Sequence, residues 1–338
     1  MMNTQISDLR QRTIENILTL QDASFRWGFD EKRLRERPQY VDYSPNFTST
    51  LWTLVLLADL KAPADLPQLK PSLRLVTERF YDPEHGIFRL PGMSHFPIPC
   101  LNGNMLYLHH YFGTSGSEAL DKTIAFFTAY QRFDDGDFKT PTSYPYCSNT
   151  SCYGKHTCYW GVAKLFKGIS FIPQNQRSRE AQKLIENCIE FVLHHEVCFS
   201  SRHRDRFIHP AIGLLTFPNF CKSDFLEILW LLGREGVRDP RMSRALELLR
   251  SRMKDGGFWE LEKSQNIVVS IGKKDSANAF ITERATDVLT ALIEAYLHRI
   301  PAQKSLENAP IVRRLSGTLS PGINIQDYRE HLEEKYGQ

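Results

Sequence analysis

Cysteine and histidine are the residues whose type and spacing could do chemistry. Cys147, Cys152, His156 and Cys158 fall within twelve positions, as C-SNTS-C-YGK-H-T-C, and Cys100 precedes them. Zinc favours four thiolate or imidazole ligands in a tetrahedron. Irregular backbone ahead of a helix would let such closely spaced side chains converge. The preferred set is Cys100, Cys152, His156 and Cys158, with Cys147 in reserve. The spacing of Cys147 and Cys152 is wider than a zinc knuckle, and no second C-x-x-C pair accompanies them. Reduced, partly buried cysteines beside a satisfied histidine are therefore the competing reading. Four protein ligands would make a structural site; three plus a water would let the metal activate water or a thiol substrate. Cys188 and Cys198 read as core.

The elements that must position these residues are helices in pairs. Four segments, opening STLWTLVLL, CLNGNMLYL, HTCYWGVAKLF and SDFLEILWLL, share one shape. Each has an apolar helix, a polar break, an amphipathic helix and an aromatic turn. A fifth apolar helix, ITERATDVLTALIEAYLHR, begins another pair. The turns read HGIF at Gly86, DGDF at Gly136 and GGFW at Gly256, and RDRF without glycine in the third unit. Glycine permits the reversal and the aromatic can tuck between neighbouring pairs. Ser223, with Asp224 in the first turn, and Ser117, Ser178 and Asp239-Pro240 are the expected helix starts. Gly113, Gly168 and Gly233 are the expected stops. LWTLVLL and FLEILWLL are apolar nearly all round, as buried inner helices should be. Strand signals are poor, NIVVSI at 266–271 being the best.

The expectation is an all-α chain: an α/α toroid of about five to six helix pairs around a central cavity over 1–300. A polar C-terminal extension, 301–338, packs on the ring or meets a protein partner. Counting back from Gly113, Gly168 and Gly233 places Cys100, His156 and Cys221 at near-equivalent positions, 13, 12 and 12 residues earlier. In such a ring these starts share one end, so one metal could join neighbouring pairs.

The helix pair with its DG-aromatic turn resembles the prenyltransferase and squalene-oxidase repeat, over roughly residues 43–299. The segments PCLNGNM, HTCYWGVAK and FLEILWLLG look like an uncharacterised microbial branch of it. That resemblance, to the superfamily of terpenoid cyclases and protein prenyltransferase β-subunits, implies a toroid with a largely apolar cavity. It also implies a prenyltransferase- or terpene-cyclase-like reaction if the chain is an enzyme. The family's acid strings are not matched: Asp134-Asp135-Gly136-Asp137 has another order and sits in a turn, where solvated carboxylates are expected.

The formal net charge is +3, and Arg202, Arg204 and Arg206 are interrupted by His203 and Asp205, so no basic face for nucleic acid is expected. No signal peptide or membrane span is read, which makes the cytoplasm the expected compartment. Trp52, Asn104, Asp224 and Arg284 stand near inner-helix starts and could meet a small apolar molecule; core packing and helix capping are their plainer roles. Nucleotide and serine-hydrolase motifs are absent. Three functions stay open: an enzyme on an apolar or isoprenoid-like small molecule, a non-catalytic zinc-stapled scaffold, and a carbohydrate-active (α/α) barrel.

Overall fold

A computed structural model describes residues 2–43, 47–92, 95–114 and 116–297. The extension expected at 301–338 lies outside them. Among the described residues are twelve α-helices and two short strands. The helices are α1 (Met2–Thr19), α2 (Glu31–Glu36), α3 (Thr50–Asp59), α4 (Leu69–Phe80), α5 (Pro99–Tyr111) and α6 (Glu118–Tyr130). They continue with α7 (Thr150–Tyr153), α8 (Tyr159–Ser170), α9 (Arg179–His194), α10 (Phe225–Arg234), α11 (Ser243–Ser251) and α12 (Ala279–Leu297). Strands β1 (Tyr81–Asp82) and β2 (Ile87–Phe88) pair antiparallel around Gly86. No strand forms at 266–271; Ile267 makes one isolated bridge to Phe47. No helix among these residues is long and apolar enough to cross a membrane.

Two kinds of helix alternate because two kinds of sequence do. Every residue of α3 is buried, as is nearly every residue of α5 and α8. In α9 the buried positions Ala181, Leu184, Ile185, Cys188, Phe191 and Val192 recur at helical spacing on one face. The Leu, Ile, Phe and Val side chains among them each gain about 1.5–3 kcal/mol on full burial. In chain order an outer helix precedes each inner one, giving five successive pairs: α1 then α3, α4 then α5, α6 then α8, α9 then α10, and α11 then α12. In space an inner helix packs on the outer helix after it, as α8 on α9 and α3 on α4. The inner helices contact one another in order, α3 to α5, α8, α10 and α12.

The first pair matches the last, which the sequence reading missed. Trp27 donates its indole N–H to the Ile17 carbonyl at 2.7 Å, and Trp259 donates to the Leu249 carbonyl at 2.7 Å. Thr50 meets the backbone of Trp27 as Thr282 meets that of Trp259. In each case the tryptophan follows an outer helix and the threonine opens an inner one. These two pairs touch through Arg10 of α1 and Glu283 of α12, 2.6 Å apart.

Several helix ends differ from expectation. Asp224, not Ser223, caps α10 by accepting the Glu227 N–H at 2.8 Å. The left-handed stop is Gly236 (φ 70°), not Gly233, which lies inside α10. Gly168 lies inside α8. A Cβ there would stand 2.6 Å from the Gly103 carbonyl oxygen, and one on Gly103 would stand 2.2 Å from the Lys164 backbone. The two glycines let α5 and α8 cross in backbone contact. Ser178 and Asp239 cap as expected.

Candidate functional site

The centre between the inner helices is not the apolar hollow that the resemblance implied. It holds charges. Lys164 and Lys167 of α8 reach Glu227 of α10 at 2.6 and 2.9 Å, and Lys167 reaches Asp59 of α3 at 2.7 Å. Tyr107 donates to Asp59 at 3.0 Å, and Arg284 of α12 lies 3.9 Å from it. All five charged side chains are buried. Burial opposes the charge on Glu227, but Lys164 and Lys167 outweigh it and hold the carboxyl below its usual range. Burial lowers Lys164, against the pull of Glu227 and with Lys167 as a like-charged neighbour.

Two small cavities flank these charges. One, about 230 Å³, is lined by Asp59, Tyr107, Phe171, Trp230 and Arg284 among others. The other, about 160 Å³, is lined by Phe47, Asn219, Phe220, Cys221, Asp224 and Lys263 among others. Arg284 joins them, donating to Asn219 at 2.8 Å.

The residues expected to meet a ligand converge on the loop 219–224. Arg284 meets Asn219. Asn104 donates to the Phe220 carbonyl at 3.1 Å, leaving its own Oδ1 buried without a hydrogen bond. Trp52 packs edge-on against Phe220 at 5.6 Å, its N–H on the Tyr43 carbonyl. Asp224 closes the loop, accepting the Thr216 N–H at 2.7 Å. Its complete burial raises the carboxyl to about 6.

Beside this loop the thiols gather. Cys158 is the N-cap of α8, and its side chain makes no capping hydrogen bond. The neighbouring Cys152 thiol is the largest influence lowering Cys158; with the Trp160 and Gly161 N–H groups of the helix start it outweighs burial. Cys152 is raised in turn by Cys158, then by burial. Of the two, Cys158 is the sulfur that the helix start favours as thiolate. Gly161 brings α8 against Pro99, so a Cβ there would stand 2.8 Å from the Pro99 side chain. Cys100, at the start of α5, is thereby set near Cys158 and Cys221, and burial keeps it protonated. Tyr43 faces Cys100, Cys221 and Cys152.

The expected zinc set does not close as proposed from sequence. His156 turns away, its Nδ1 3.0 Å from the Asp135 carbonyl oxygen and its ring against Gly136. Cys147 is exposed. Among the described residues, one group of Cys, His, Asp or Glu has ligand atoms all within 4.8 Å of one another, and it lies elsewhere: Asp82, Glu84, His85 and His95. That group could hold a metal ion. Sequence reasoning overlooked it because ten positions separate its histidines; a D-x-E-H string inside a repeat-closing turn was the available signal. Asp134 also differs from expectation: it is not solvated but ion-paired with Arg132 at 2.6 Å.

Compared with protein-family models, curated proteins and solved structures, this chain shows no match.

Proposed function

We propose that the five helix pairs close into an α/α toroid and that its chemistry is thiol–disulfide exchange at one rim. Cys158 is the nucleophilic thiolate and Cys152 its partner thiol. Support for the closed ring comes from the ordered contacts of the inner helices and the Arg10–Glu283 meeting of first and last pairs.

The single observation that carries the chemistry is the place of Cys158 at the start of α8 beside Cys152, where its thiol is lowered to about 6. A thiolate at a helix start is stabilised by the unpaired N–H groups there. It attacks one sulfur of a small disulfide, forming a mixed disulfide and releasing the other sulfur as thiolate. Cys152, losing its proton to solvent, then attacks the Cys158 sulfur and expels the second thiolate. The product is a Cys152–Cys158 disulfide, and two thiols leave. Cys221, which belongs to the thiol group and also lines the 160 Å³ cavity, links this chemistry to a ligand space. Both cavities are smaller than the ~300–1,000 Å³ typical of pockets for drug-sized ligands. A compact polar substrate suits them better than an isoprenoid.

Alkylation of the full chain at pH 7, read by peptide mass spectrometry, tests this. Cys158 should react fastest of the seven cysteines, and oxidised glutathione should yield a Cys152–Cys158 linked peptide. Alkylation of Cys158 no faster than that of Cys147 would sink the reading.

A second reading has one observation behind it: Cys100 lies near both Cys158 and Cys221. A zinc ion held by Cys100, Cys152, Cys158 and Cys221, with Cys221 in place of His156, would staple three inner-helix starts without catalysis. The zinc-to-chain ratio of protein purified without chelator separates the two. A ratio near one, lost in Cys158→Ser, favours the staple.

A further inference from the structure

The hairpin between α4 and α5 carries more polar side chains than a turn needs. Asp82 on β1 is buried, and its Oδ2 is a hub. His95 Nδ1 lies 2.7 Å from it, Arg89 Nε 2.7 Å and His85 Nδ1 3.2 Å. The two imidazole rings lie 4.1 Å apart, inclined by 32°. His85 Nδ1 is shielded from solvent and makes no hydrogen bond.

The next turn along the chain shows what the fold itself requires. There Asp134 takes Arg132 at 2.6 Å and the Gly136 N–H at 3.1 Å. Asp82 repeats that pattern with Arg89 and the Glu84 N–H at 3.2 Å. An aspartate, an arginine and one backbone N–H suffice to close the turn. The histidines on the Asp82 carboxylate are additional.

We propose that Asp82, His85 and His95, with Glu84 completing the set, form a solvent-facing site for a divalent transition-metal ion of the zinc class. Two imidazoles and two carboxylates suit that class better than calcium or magnesium, which prefer all-oxygen sets. In a tetrahedral site with bonds of about 2.0–2.2 Å, ligand atoms stand about 3.4 Å apart. The four donors already lie within 4.8 Å of one another, so small side-chain rotations complete the geometry. The ion takes the place now shared by the imidazoles around Asp82 Oδ2, and it gives His85 Nδ1, which contacts that oxygen without a hydrogen bond, a ligand bond. Exposed Glu84 and half-exposed His95 leave a path from solvent.

The test uses the full chain, stripped with chelator and titrated with Co(II) alone, followed by calorimetry and visible absorption. Cobalt bound here gives d–d bands without the strong sulfur charge-transfer band of a thiolate site, so this site and the thiol rim report separately. His95→Ala should weaken the sulfur-free binding at least tenfold, a loss of the size seen when metal sites lose a supporting group. Glu84→Gln, at an exposed position that leaves the fold intact, should weaken it less. Cys158→Ser should leave it unchanged. Wild-type affinity in His95→Ala, with an unaltered melt in chelator, would overturn the assignment. So would the absence of any sulfur-free cobalt binding in the wild-type chain.

Discussion

The ionic centre and the thiol rim both bury polar groups, but they resolve the cost differently. At the centre, Lys164, Lys167, Glu227, Asp59 and Arg284 answer one another across four inner helices. Three cations meet two carboxylates there, and the helices are locked in register. At the rim, burial keeps Cys100 and Cys221 as thiols, while Cys158 is lowered beside Cys152 at the start of α8. Paired charges fix a structure. Under-satisfied nucleophiles are available to react. The difference teaches where stability and reactivity should part on mutation.

The largest effect is expected at the centre. Glu227→Gln keeps the shape but leaves buried Lys164 without a carboxylate and Lys167 with Asp59 alone, and should cost about 3–5 kcal/mol. A denaturant midpoint within error of wild type would erase the contrast. Acidification should come next. Burial lowers both His109 and His110 to about 4. His109 sits between the hydroxyls of Thr77 and Thr114, at 2.9 and 2.7 Å. The unfolded chain binds these protons first, so stability is present above pH ~6.5 and lost as pH falls toward ~4. From pH 7 to 5 the pair should cost ~3–4 kcal/mol. Asp224, raised to about 6, acts oppositely, because the folded state takes its proton first. It returns only ~1 kcal/mol over that interval, leaving a net loss of ~2 kcal/mol by chemical denaturation. Gly103→Ala should follow, at about 1–3 kcal/mol, since the added methyl meets backbone at the α5–α8 crossing. The rim should give the smallest change in stability. Cys158→Ser should shift the midpoint by less than ~1 kcal/mol yet abolish fast alkylation. A larger loss of stability than in Gly103→Ala would make the rim a structural staple instead.

Much of the frame was legible. Gly86, Gly136 and Gly256 do carry the positive φ that their turns required, at 65°, 86° and 95°. Ser178 and Asp239 cap where a side-chain oxygen before a helix should. Cys100 and Cys221 do lie near each other, as their matched distances from the helix ends suggested. The charges of the centre were also in view, as single acidic or basic residues inside apolar runs: LVLLAD, GVAKLFKG and FLEILWLL. A lone charge in a helix buried all round must find a partner, but pairing depends on crossing angle and depth, which periodicity does not report. Gly168 and Gly233 misled for a related reason: a glycine near a helix end can serve close approach as well as termination. His156 was misplaced because four soft side chains within twelve positions look alike in a string, while the Asp135–Gly136 turn, twenty residues earlier, captures one of them.

The meeting of Arg10 with Glu283 brings together positions 273 apart in the chain. Contacts between consecutive inner helices join nearer neighbours and can form as local contacts accumulate. This one closes a longer loop and carries a larger closure entropy. By that reasoning the seam is expected to form late in folding and to open early in unfolding, at the join between the first and last helices.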